Sequence, residues 1–106
     1  MTHESWREYT ETDPDELRTM LQSAPDSFRE LLLLLRDRAP ARLTYSEIDA
    51  ALGWPDRRAH SVFGGWRAKR GSESQRPFHL CSPEDSPRGS WELWMDEQQA
   101  AALANE

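Results

Sequence analysis

The chain has 106 residues, a length that suits one domain with one modest hydrophobic core. Hydrophobic residues make up 37% and charged residues 30%, which is polar for a globular domain but does not indicate disorder. The longest apolar run, Leu31 to Leu35, is far shorter than the roughly 18–20 residues of a membrane span, and no secretory signal is recognisable. The single cysteine, Cys81, excludes an internal disulfide, so we expect a cytoplasmic protein.

The formal net charge of −6 is distributed unevenly along the chain. Residues 1–37 carry nine acids and four Arg, residues 38–76 carry eight bases and four acids, and residues 90–106 carry four acids and no base. A basic middle between acidic ends indicates a polyanionic partner. Arg side chains that merely keep a small domain soluble would give the same pattern.

Two helices are predicted in the first part of the domain, which we expect to cover residues 13–106 after an acidic tail over residues 1–12. The segment TDPDELRTML predicts the first helix, capped by Asp13. Its expected apolar stripe consists of Leu17, Met20 and Leu21.

The segment SFRELLLLLRDR predicts a second helix over 27–38, which begins with a Ser27–Glu30 capping pattern and ends before Pro40. The residues expected on its inner face are Phe28, Leu31, Leu32 and Leu35. Leu33 and Leu34 are expected to point partly away from this face, as in a helix that is central or shared with a partner.

The next segment predicts two helices joined by a turn. TYSEIDAALG indicates a helix that begins with a capping box of Thr44 and Glu47 and ends at Gly53, after a short strand at Arg42-Leu43. A further helix is expected over 57–70, capped by Asp56 or opened by Pro55. Two short helices with a Gly-containing turn form a helix-turn-helix.

The last segment predicts a β-hairpin and a short helix. PFHLCS and SWELWM have the alternation of strands, and PEDSPRG between them is rich in turn residues. In the second strand, Trp91, Leu93 and Met95 are expected on one face. Asp96 is expected to cap the final helix.

This order of elements resembles a winged helix-turn-helix domain, a mainly α fold with a small β-hairpin (α+β). RLTYSEIDAALG followed by GGW, PFHL and WMD resembles, more narrowly, an uncharacterised family of small bacterial winged-helix proteins. The resemblance covers roughly residues 26 to 105 and implies a fold, but no activity. In winged-helix proteins the N-terminal part of the second helix of the motif enters the DNA major groove.

A helical wheel divides the segment 57–70 into an inner and an outer face. The expected core residues are Ala59, Val62, Phe63 and Trp66. The outer face is expected to carry Arg57, Ser61, Gly64 and Ala68, flanked by Arg58, His60 and Gly65.

The two adjacent glycines weaken this helix, because Gly costs roughly 1 kcal/mol relative to Ala inside a helix. Close approach of a phosphate backbone or another chain would account for them. The alternatives are a kink at Gly64 or a helix that ends there.

The basic residues of this segment suit DNA. Arg57 and Arg58 at the start of the helix oppose its macrodipole, and a phosphate or a guanine edge would supply the missing anion. We therefore predict that the protein binds double-stranded DNA as a small transcription regulator, and that it forms a homodimer through helices outside the helix-turn-helix. We assign contacts with base edges or nearby phosphates to Arg57, Arg58, His60 and Ser61. Gly64 is expected to allow the close approach of the helix to a phosphate backbone. We assign contacts with phosphates to Thr44, Arg67, Lys69, Arg70 and Arg88.

The hairpin loop favours an alternative. Glu84 and Asp85 outnumber Arg88 there, and an acidic loop does not readily enter the negative minor groove. The fold would then serve as a protein-interaction module without DNA binding. We expect no enzyme activity, cofactor or metal, because His60, His79 and Cys81 lack the spacing of zinc ligands and no catalytic motif is present.

Overall fold

Five helices and two small sheets make up the part of the chain that the computed structural model describes, which is residues 7–8, 14–70 and 75–104. In chain order they are β1 (Arg7–Glu8), α1 (Pro14–Ser23), α2 (Asp26–Arg38), β2 (Leu43–Thr44), α3 (Tyr45–Leu52), α4 (Arg58–Arg70), β3 (Gln75–Arg76), β4 (His79–Cys81), β5 (Glu92–Trp94) and α5 (Glu97–Ala102). The predicted α+β class, mainly helical with a small antiparallel sheet, is confirmed.

The larger sheet has three antiparallel strands in the order β2-β5-β4. Leu93 in the central strand lies opposite Leu43 on one side and Leu80 on the other. The predicted hairpin is the pair β4–β5. Because β2 leads directly into α3, its pairing with β5 fixes the start of α3 beside the hairpin.

A second, two-stranded sheet joins β1 and β3 in parallel, with Arg7 opposite Gln75 and Glu8 opposite Arg76. Neither strand was predicted, because a pair of two-residue strands has no sequence periodicity. The other positions of the predicted tail over residues 1–12, and the predicted cap Asp13, lie outside the described residues.

The hydrophobic core lies where α1, α2, α4 and the three-stranded sheet meet. The predicted inner faces of α1 and α2 are buried, as are Ala59, Phe63 and Trp66 of α4, whereas Val62 is only half-buried. The ring of Trp66 stacks on that of Phe28, with centroids 4.5 Å apart. Trp66 is therefore a core residue, as predicted, and it connects α4 to α2.

Local capping patterns were predicted correctly at three helix ends. Thr44 and Glu47 form the capping box of α3, and Gly53 at its C-terminus is left-handed with φ of 67°. Asp96 caps α5 through the backbone N–H of Gln99. A Thr or Asp side chain needs only a partner three residues away to form such a cap, so the signal is local.

The predicted capping pattern of α2 is wrong. This helix begins at Asp26, after Pro25, with no side-chain hydrogen bond at its cap. Ser27 lies in the first turn instead, and its hydroxyl accepts a hydrogen bond from Arg58. A contact between distant helices has replaced the local one.

The predicted apolar face of the last strand is also partly wrong. Leu93 and Met95 are buried, but Trp91 precedes β5 and is 40% exposed. The residue buried in its place is Glu92, which is only 2% exposed. Two arginines compensate the charge of this acid, as described below, so a charged side chain can be buried at this position.

Candidate nucleic-acid interface

Asp49 fixes the geometry between α3 and α4. Its carboxylate is buried, and it accepts hydrogen bonds from the backbone N–H of Arg57 at 3.0 Å and of Ala59 at 2.7 Å. The N–H of Trp54 donates to the Asp49 carbonyl at 2.8 Å, which closes the turn. Asp49 therefore caps α4 from the preceding helix.

The predicted start of α4 needs two corrections. The helix begins at Arg58, one residue later than expected, so Pro55 does not open it, although its carbonyl accepts the N–H of Arg58 at 3.1 Å. The side chain that caps the helix is that of Asp49 and not that of Asp56. The anion at its positive end is the carboxylate of Asp49, so the basic residues there do not require an external anion to offset the helix macrodipole.

Arg57 lies in the left-handed region, with φ of 70°. This conformation is uncommon for a residue with a side chain, because the Cβ approaches the backbone. The backbone N–H of Arg57 is held by Asp49, and the residue itself is exposed. The turn thus presents a guanidinium at the start of α4 while its backbone is bound from inside.

The outer face of α4 is exposed and carries small residues, as predicted. Ser61, Gly64, Gly65 and Ala68 are all exposed. The helix continues through both glycines, so the alternative that it ends at Gly64 is excluded. A Cβ built at Gly64 or Gly65 would meet no described atom within 4 Å, so this face is open for close approach.

Arg58 and His60 flank this face and contact neighbouring helices. Arg58 donates from Nη2 to the hydroxyl of Ser27 at 2.9 Å, and its guanidinium carbon lies 5.7 Å from the ring centroid of Trp54. The ring of His60 meets that of Tyr45 edge-on, with centroids 5.2 Å apart. Both side chains are therefore positioned by contacts to α2, the turn and α3.

Arg88, in the hairpin loop, is held by three groups. It donates from Nε to Glu92 at 2.6 Å, from Nη1 to Glu47 at 2.9 Å and from Nη2 to the carbonyl of Arg42 at 3.0 Å. These contacts join the hairpin to the first turn of α3. A phosphate would have to compete with two carboxylates for this guanidinium, and the assignment of Arg88 to phosphate stays a prediction.

The carboxylates around Arg88 are held in their charged form. The hydrogen bond from Arg88 lowers the pKa of Glu92 below its ordinary value of 4.5. The backbone N–H of Thr44, with Arg88, likewise lowers the pKa of Glu47. Arg42 contributes a further cation, with one amino nitrogen 3.5 Å from Glu92.

Thr44 lies at the start of α3, beside the hairpin loop. Its hydroxyl accepts from the N–H of Glu47 at 3.2 Å. The first residues of α3 and the hairpin loop enclose a shallow pocket of about 340 Å³ there, lined by Thr44, Tyr45, Ser46, Pro83, Gly89, Ser90 and Trp91. Thr44 and Arg88 are thus brought together through Glu47.

Three further predicted contacts, Arg67, Lys69 and Arg70, belong to the last turn of α4. Their side chains lie outside the described residues. Asp49, Glu92 and Tyr45 were missed as residues that build the site. No spacing in the sequence identifies them, because each acts on a partner in another element.

Two general properties bear on the kind of site. Among the described residues, no group of three or more His, Cys, Asp or Glu side chains is arranged to hold a metal ion. No helix in the same part of the chain combines the length and apolarity needed to cross a bilayer.

Comparisons of the chain with protein-family models, with curated proteins and with solved structures found no match.

Proposed function

We propose that the protein binds double-stranded DNA with α4 in the major groove. The observation that carries this proposal is the exposed outer face of α4 with its small residues, together with the exposed Arg57 that precedes the helix. Support also comes from the arrangement of α3, turn and α4 beside a sheet of order β2-β5-β4, which suits a winged helix-turn-helix.

The contacts divide into base reading and backbone holding. Arg57, His60 and Ser61 lie at the N-terminal part of α4, the part that reaches base edges in helix-turn-helix proteins. Gly64 allows the helix to lie close to the duplex. We expect phosphate contacts from Arg67, Lys69 and Arg70, and from Thr44 at the start of α3. Arg58 and Arg88 join them only by exchanging their present partners for phosphate.

Fluorescence anisotropy of a labelled random-sequence duplex, titrated at several salt concentrations, tests this proposal. We expect affinity to fall steeply with salt, because phosphate contacts release counterions. Arg57→Ala is expected to weaken binding by about tenfold. Arg18→Ala removes the same charge from α1 and serves as the control. Absence of binding at low salt would refute the proposal.

On this proposal the protein is a cytoplasmic transcription regulator that binds two half-sites as a dimer. Leu33 and Leu34 of α2 are half-buried against the core, so they offer only part of a dimer surface. Sedimentation equilibrium with and without a duplex would show whether DNA is needed for the dimer to form.

A protein-interaction module is the second candidate, and the hairpin loop favours it. Trp91 is 40% exposed beside a loop in which Glu84 and Asp85 are exposed and Arg88 is held by carboxylates. The matching partner would be basic with an apolar pocket. A partner retained from cell lysate by the native protein but not by Trp91→Ser would support this function, provided that DNA binding is absent at low salt.

A further inference from the structure

A pocket of about 320 Å³ lies between the α1–α2 junction and α4. Met20, Phe28 and Trp66 are buried residues that line it, and they form its floor. Ser61 and Gly65 line it from α4 and are exposed, so the pocket opens to solvent. None of the residues discussed for base or phosphate contacts forms this floor.

The pocket floor is aromatic. The rings of Phe28 and Trp66 are stacked, with centroids 4.5 Å apart and an angle of 12° between their planes. Met20 adds a polarisable thioether, which packs favourably against aromatic rings. The stack covers one face of each ring and leaves the ring edges and an outer face. Aromatic rings pack favourably against both, so the floor favours an aromatic group.

The polar groups of the pocket are hydroxyls. Ser27, at the pocket, accepts a hydrogen bond from Arg58 and retains its own proton to donate. Ser23 and Ser61 contribute two more hydroxyls. Because the described residues that line the pocket include no charged side chain, a charged ligand would lose part of its hydration without a lining residue of opposite charge to compensate.

The size of the pocket selects a small molecule over a protein segment. A volume of 320 Å³ lies at the lower end of the roughly 300–1,000 Å³ of ligand pockets. An α-helix with its side chains, about 10–12 Å across, does not fit into it. We infer that the pocket binds a small, uncharged, planar aromatic molecule with a hydrogen-bond acceptor that receives the Ser27 proton.

Gly65 provides a direct way to close the pocket. It lines the pocket without a side chain, and a Cβ there would meet no described atom within 4 Å. Gly65→Leu therefore adds atoms on the pocket side without a backbone clash and also improves the helix propensity of α4. Ala68→Leu adds the same side chain at an exposed position of α4 that does not line the pocket, and it serves as the matched control.

The test is equilibrium dialysis of the whole protein at neutral pH against quinoline, whose ring nitrogen accepts a hydrogen bond and cannot donate one, with naphthalene as the probe that lacks the acceptor. We expect saturable binding at one site that Gly65→Leu weakens by at least about tenfold and Ala68→Leu changes by less than about twofold. Ser27→Ala is expected to weaken the binding of quinoline but leave that of naphthalene unchanged, because only quinoline accepts the serine proton.

Two outcomes would overturn the inference. One is the absence of saturable quinoline binding to the native protein below about 1 mM. The other is equal binding by Gly65→Leu and Ala68→Leu, which would place the probe elsewhere. No DNA is present in this experiment, so its result is independent of the proposed function.

Discussion

A hydrogen bond of 3.0 Å joins Asp49 of α3 to the backbone N–H of Arg57, the residue that precedes α4. The same buried carboxylate receives the N–H of Ala59. One acidic side chain therefore holds the left-handed turn and caps the following helix, and the angle between α3 and α4 depends on it.

Asp49→Ala is expected to destabilise the protein by about 2–3 kcal/mol, because it leaves two backbone N–H groups at the start of α4 without their charged acceptor. Urea unfolding followed by circular dichroism measures the change. Asp56→Ala, at the exposed residue that the sequence pattern favoured as the cap, is expected to stay within about 0.5 kcal/mol of the native protein. Equal losses in the two variants would contradict the capping role of Asp49.

Arg57→Gly is expected to raise the free energy of unfolding by about 0.5–1 kcal/mol, since glycine adopts the left-handed conformation without a Cβ clash. On the proposed function, the same variant loses DNA affinity because a base contact is removed. Urea unfolding and anisotropy titration measure the two effects. Arg58→Gly, at the first residue of α4, is the control for stability, and its unfolding free energy is expected to fall because the contacts of Arg58 with Ser27 and Trp54 are lost.

Stability is expected to decrease on acidification through the contacts around Arg88. The pKa of Glu92 and that of Glu47 are lowered in the folded protein, so their contribution is present above the ordinary value of 4.5 and is lost as the pH falls through the lowered values. Glu92→Gln is expected to give a shallower decline of the urea midpoint with falling pH. Glu84→Gln, at an exposed loop position, should retain the native profile, and an unchanged profile in Glu92→Gln would exclude this cause.

Gly64→Ala is expected to stabilise the protein by about 0.5–1 kcal/mol, because the position is helical and a Cβ there would meet no described atom within 4 Å. Gly53→Ala is the opposing control, since φ of 67° strains any residue with a Cβ. Thermal unfolding of the two variants should shift in opposite directions. A destabilised Gly64→Ala would indicate that this face of α4 is covered.

The elements that were predicted correctly depend on near neighbours in the sequence. The apolar stripe of α2, the capping box of Thr44 and Glu47, and the left-handed Gly53 each involve residues a few positions apart. Such patterns can be recognised without a structure because all of their residues belong to one helix and its ends.

The features that were missed depend on contacts between elements. Asp49 reaches the next helix and Glu92 receives Arg88 beneath the hairpin loop. In the sequence, Glu92 has the pattern of an outward strand residue and Trp91 that of an inward one. The arginines around Glu92 reverse this pattern by neutralising the buried charge.

The pairing of Leu43 with Leu93 has a consequence for how the chain folds. Strand β2 acquires its only described partner strand from a segment about fifty residues later, so the three-stranded sheet cannot close until β5 has left the ribosome. The helices α2 to α4 are complete earlier and can dock on one another first. A fragment that stops before Glu92 would keep the helix-turn-helix sequence but would lack β5, the strand that pairs with β2 and so fixes the start of α3.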